Sequence, residues 1–182
     1  MKTKIYFAIL IASAIINNSN AQYFEWAHEF PIAIKGTNAG DLTTDYSGNL
    51  ITVHHSHFCQ TCYESIVTKT DPSGTVVFSV SGFSMGNYSF GSVATDYAGN
   101  IYVTGNHNMG TFTIGNFSTT STNWVVKLNS SGTVKWLRDL NDFFLMTADS
   151  AGNLYFTNSF SHLTYKLKSN NTLAWSDSSH GG

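Results

Sequence analysis

Charge is what this 182-residue chain has least of: nine Lys and Arg stand against eleven Asp and Glu, for 11% charged residues and a net charge of −2. That balance gives no basic patch, so a nucleic-acid partner held by electrostatics is excluded. The helix formers Glu, Lys, Arg and Gln are scarce, which argues against a helical protein. Only two cysteines are present, Cys59 and Cys62, and no second C-x-x-C motif accompanies them. The N-terminal apolar run, Ile5 to Ile16, has 12 residues. It falls short of the roughly 20 a membrane-spanning helix needs. No nucleophile elbow, phosphate loop or HExxH motif is visible.

What is present is a large share of aromatics, 14%, among many Ser, Thr, Asn and Gly residues. This composition favours strands and turns, and the length suits one domain. The short apolar run follows Lys2 and Lys4 and precedes Asn17-Asn-Ser-Asn-Ala21. A basic start, a short apolar core and small residues before a cut describe an export signal over 1–21. The alternative, a retained anchor, is opposed by the length of the run. The mature chain, 22–182, is then expected to be secreted or at the cell surface, where disulfides persist.

Internal repetition is the strongest signal. Asp45-Tyr-Ser-Gly-Asn-Leu-Ile-Thr-Val53 returns as Asp96-Tyr-Ala-Gly-Asn-Ile-Tyr-Val-Thr104, and again as Asp149-Ser-Ala-Gly-Asn-Leu-Tyr-Phe-Thr157. A second motif returns as Lys69 to Phe78, Lys127 to Trp136 and Lys166 to Trp175. In its third copy Asn171 replaces Gly74 and Gly132, and Asn tolerates the left-handed backbone that such turns use. Each unit predicts four short strands. In the second they fall near Ser92–Thr95, Ile101–Thr104, Trp124–Leu128 and Thr133–Leu140. Repeats of about 40–50 residues with four strands predict β-propeller blades, here at about 40–83, 90–140 and 143–178. Trp26, Trp136 and Trp175 take equivalent fourth-strand positions and are expected to pack between blades. The segment Tyr23 to Phe30 is read as an isolated closing strand, or else as an edge strand beside the first blade.

The D-x-x-G-N turn-strand followed by V-K-L-x-x-S-G-T-V-x-W resembles the bacterial β-propeller repeat of secreted and surface proteins, over roughly Gly40 to Asp177. Its S-G-T-V-K-W half is more weakly similar to quinoprotein-like propeller repeats and carries over no cofactor residue. The resemblance implies an all-β, propeller-like array. Three blades are fewer than the ~4–8 that close a ring. The chain is therefore expected to be an incomplete propeller or N-terminal fragment, or to self-associate, with apolar blade faces left open at both ends.

Strand alternation places the repeated turns on one face of such a disc and the strand-two to strand-three loops on the other. Asp45 to Gly74 spans 29 positions, Asp96 to Gly132 spans 36 and Asp149 to Asn171 spans 22. The variation falls mainly in the strand-two to strand-three loops, Asn106 to Thr122 being the long one. Loops on a rigid scaffold often carry binding, although tolerated insertions vary in the same way. Tyr88, Trp124 and Phe143 are the expected ligand-face residues. The expected partner is an extracellular protein or glycan, with no cofactor and no membrane span after signal removal.

The stretch His54 to Cys62, HHSHFCQTC, is expected in the first of these loops. A Cys59–Cys62 disulfide suits an exported chain. A metal site of His55, His57, Cys59 and Cys62 would supply ligands suited to zinc or copper. A redox pair would want a thiolate-stabilising helix terminus. Asp45, Asp96 and Asp149 are read as turn locks in preference to calcium ligands. The reading is an exported binding or structural module. Its alternative is an exported hydrolase, lyase or quinoprotein-like enzyme with active-site residues in further blades.

Overall fold

The computed structural model describes residues 38–59, 62–85, 88–142, 145–158 and 163–178. The expected export signal, the strand 23–30, Phe143 and His162 lie outside them. The described residues form fourteen strands and no helix. They are β1 (Asn38–Thr44), β2 (Leu50–Cys59), β3 (Cys62–Thr70), β4 (Val76–Met85), β5 (Tyr88–Thr95), β6 (Ile101–His107) and β7 (Phe112–Ile114). They continue as β8 (Phe117–Thr119), β9 (Asn123–Leu128), β10 (Val134–Leu140), β11 (Leu145–Ala148), β12 (Leu154–Thr157), β13 (Leu163–Leu167) and β14 (Leu173–Ser178). The protein is thus all-β, built from three antiparallel sheets: β1-β2-β3-β4-β7-β8, β10-β9-β6-β5 and β11-β12-β13-β14.

Each D-x-x-G-N copy joins the first and second strands of its sheet. Asp45 Oδ1 accepts the N–H groups of Ser47 and Asn49 at 2.9 and 3.0 Å, and Asn49 Nδ2 donates to Oδ2 at 2.8 Å. Asp96 with Asn100, and Asp149 with Asn153, repeat the arrangement. Satisfying these amides with a carboxylate is what a tight turn needs. The second motif closes the third and fourth strands in the same manner through Asp71 and Asn129. In the third copy Asn171 has φ 67°, the one non-glycine with positive φ among the described residues.

Alternation then sorts the side chains into layers. Ile101, Val103, Trp124, Val126 and Leu128 face the first sheet, packing with Ile51, Val53 and Val67. Tyr102 and Val125, on the opposite face of the same strands, pack with Met146, Leu154, Phe156 and Tyr165 of the third sheet. The first strands β1, β5 and β11 are neighbours in that order.

The outer faces carry exposed apolar residues among polar ones. On the first sheet, the face turned away from the second carries Thr52, His54, Ser56, Thr68 and Ser79, and the Thr68 and Ser79 hydroxyls lie 3.1 Å apart. That face is mainly polar. The far face of the third sheet is mixed: Leu145 and Trp175 are exposed, beside Thr147, Tyr155 and Lys166.

Candidate functional site

The described residues of the HHSHFCQTC stretch are strand, not loop. β2 runs through to Cys59 and β3 starts at Cys62, with His55 opposite Ser65, His57 opposite Tyr63 and Cys59 opposite Cys62. Cross-strand bonding continues to the hairpin end, which places the histidines on a strand. His54 is buried; desolvation lowers its pKa, with Glu64 opposing and His55 adding to the shift. His55 is half-buried on the other face. The side chains of His57 and Cys59 lie outside the described residues. Cys62 is disulfide-bonded, and the chain's other cysteine is its register partner. A disulfide sulfur is not a thiolate, so Cys62 is withdrawn from the expected ligand set. Among the described residues no three His, Cys, Asp or Glu side chains are grouped to hold a metal.

Trp124 is not a ligand-face residue. It is 0% exposed. Its ring stacks on Phe112 with centroids 4.0 Å apart and planes 5° from parallel, and Phe90 meets it edge-on. The cause is the long Asn106–Thr122 segment, expected as a binding loop. It folds into the β7–β8 hairpin and adds to the free edge of β4, pairing Ile114 with Gly82 and Thr113 with Phe83. Phe112 and Ile114 are thereby buried. Gly82 makes room, since a Cβ there would lie 2.6 Å from the Phe112 ring. The sequence carried a signal for this hairpin: Phe112-Thr-Ile-Gly-Asn-Phe-Ser-Thr119 alternates around a Gly-Asn turn, and Gly115 has φ 57°. Tyr88 lies on β5 opposite His107, with its side chain outside the described residues.

The repeated turns form a connected network. In the third sheet Lys166 Nζ donates to the Tyr155 hydroxyl at 2.7 Å, which donates to Asp149 Oδ2 at 3.1 Å. In the second sheet the Tyr102 hydroxyl donates to Asp96 Oδ2 at 2.8 Å and Lys127 sits over the Tyr102 ring. Burial and the Asp96 carboxylate push the Tyr102 phenol far up, so it stays a donor. The sheets interlock here. A Cβ at Gly152 would lie 2.7 Å from Asp96 Oδ2 and from the Tyr102 hydroxyl, and Tyr97 N–H donates to the Ser150 carbonyl at 3.2 Å. Arg138 Nη1 reaches the Asn171 carbonyl at 2.7 Å.

Where β1, β5 and β11 meet, a cleft of about 360 Å³ opens, lined by Thr43, Thr44, Asp45, Tyr46, Thr95 and Thr147 among others. Tyr46 is 64% exposed and Tyr97 71%, with ring centroids 5.0 Å apart. Sequence reasoning missed these two tyrosines. Their signal is the Tyr that follows the turn Asp in the first two copies, where the third has Ser150.

No protein-family model matches the chain, and no curated protein matches it. Among solved structures it is similar to a protein of unknown function from Bacteroides caccae, with TM-score 0.49 and 10% identity over 79% of this chain. The match spans 46% of that protein's length.

Proposed function

We propose that the chain is an exported, propeller-like repeat scaffold that acts as a binding or structural module outside the cytoplasm. One observation carries the reading. The repeated carboxylates Asp45, Asp96 and Asp149 are all consumed by turn donors, and Asp96 also lies where the second and third sheets interlock. Groups so engaged hold a frame; they are not poised to transfer protons. The adjoining first strands and the alternating layers support the propeller-like arrangement. The basic, apolar and small-residue order of residues 1–21 supports export to the cell surface or medium.

The same arrangement supports incompleteness. Tyr155, Lys166 and Trp175 repeat, on the far face of the third sheet, the residues Tyr102, Lys127 and Trp136 that meet the third sheet from the second. A further repeat unit, in a longer chain or a second copy, would dock there in the same way.

The test begins by producing the chain with its N-terminal segment in a bacterial host and recovering the exported fraction. Mass spectrometry is expected to find Gln22 at the N-terminus. That mature chain is then measured against panels of extracellular glycans and proteins. Saturable binding without turnover is expected. Turnover of a bound ligand would favour the exported-enzyme alternative, and retention of residues 1–21 in the cytoplasm would contradict export.

A further inference from the structure

The cleft between the first strands has the chemistry of a ligand site, and its rim is unusual for a turn surface. Tyr46 lines the cleft, and Tyr97, from the same turn position of the adjacent unit, stands outside the lining and meets Tyr46 edge to face at an interplanar angle of 63°. Both are more than half exposed, so their faces are not spent on the core. Tyrosine offers an apolar face with a polar handle, which suits a ligand with both characters. Behind Tyr46 the wall is mixed: Thr43, Thr44, Thr95 and Thr147 line it together with apolar side chains such as Val93 and Met146. Thr95 Oγ1 donates to the Thr44 carbonyl at 2.9 Å and ties the β1 and β5 walls together.

Charge decides the ligand class. Asp45 is the one ionisable carboxylate in the wall, and it is compensated by Lys69 Nζ at 2.8 Å. Asp96, beside Tyr97, is held by Asn100 and Tyr102. Neither a cationic nor an anionic ligand therefore finds an uncompensated partner there. The volume lies within the about 300–1,000 Å³ usual for small-ligand sites.

We infer that this cleft binds a neutral saccharide, one sugar ring lying against the Tyr46–Tyr97 pair and its hydroxyls meeting the threonines. The inference rests on the binding-module reading and names its ligand class.

The experiment is isothermal titration of the exported full chain with cellohexaose, maltohexaose and laminarihexaose, and with an oligogalacturonate as the acidic comparison. At least one neutral oligosaccharide is expected to bind saturably, and more tightly than the acidic one. Tyr46→Ala and Tyr97→Ala are each expected to weaken it by up to about tenfold, the size of an aromatic stacking contribution. Tyr46→Phe, which keeps the ring, should stay close to the native affinity. These positions are exposed, so the variants are expected to keep the unfolding midpoint of the native chain. Absence of neutral-oligosaccharide binding at millimolar concentration, or binding indifferent to both alanine changes, overturns the inference. If an extracellular protein binds the chain while the tyrosine variants behave as native, the saccharide site fails and the module reading stands.

Discussion

Lys69 Nζ lies 2.8 Å from Asp45 Oδ2 in the first sheet, while in the third a tyrosine hydroxyl joins the equivalent Lys166 and Asp149. The difference follows from one position. Six residues after the turn Asp stands Ile51 in the first copy and Tyr102 or Tyr155 in the others. With no phenol to take the carboxylate, the lysine reaches it directly, and both partners are buried.

Lys69→Met should therefore destabilise the chain. Asp45 would keep its Asn49 and Ser47 donors, so the cost expected is about 1–3 kcal/mol, that of a buried polar group losing a partner. Denaturant unfolding measures it. Lys127→Met, which removes a cation from the Tyr102 ring, is expected to cost about 0.5–1 kcal/mol.

The same pair sets an acid limb. Burial raises the Asp45 pKa, but the Lys69, Asn49 and Ser47 donors outweigh it and hold the carboxyl below its ordinary 3.8. A depressed folded-state pKa gives stability that is complete above the unfolded value and is lost as pH falls through the folded one. Stability is thus expected to fall with acidification below pH 3.8. Asp71 and Asp149 are also held below their ordinary value, so Asp45→Asn should reduce that limb without abolishing it in denaturation curves taken at stepped pH.

How much of this was readable in the residues differs by element. The strands expected near Ser92–Thr95, Ile101–Thr104, Trp124–Leu128 and Thr133–Leu140 correspond to β5, β6, β9 and β10. Period-two alternation between D-x-x-G-N and S-G-T turns is a local signal, set by the pleat and by backbone amides. Asn171 in the left-handed region follows from the same local chemistry. The docking of β7 on β4 is a long-range event. Trp124 looked available because its cover, Phe112, is supplied by a hairpin that joins a different sheet. The histidine stretch looked like a loop because polar residues on a sheet's outward face and in a loop read alike; only the register distinguishes them.

That hairpin gives a sharp expectation. Phe112→Ala removes the ring stacked on Trp124 and contacts at Gly82, and should cost about 3–5 kcal/mol. Tryptophan emission should shift to the red as the fully buried Trp124 gains access to water, while a protein that tolerates the change without either effect would refute this packing.

Trp136 and Trp175 occupy equivalent positions with different surroundings. Trp136 packs on the layer between the second and third sheets, and Trp175 is 44% exposed. Trp136→Ala is expected to cost at least about 2 kcal/mol. Trp175→Ala should stay within about 0.5 kcal/mol for the chain alone. Thermal unfolding of the two variants side by side checks the contrast.

In the proposed propeller-like arrangement the first strands of the three units converge on one axis. Thr43 on β1 and Thr147 on β11 line the same cleft, so spin labels on Thr43→Cys and Thr147→Cys measure that convergence by pulsed electron–electron resonance. A short, single-peaked distance that is unchanged between dilute and concentrated samples is expected. A long or broad distribution would mean that the units splay apart, and would contradict it.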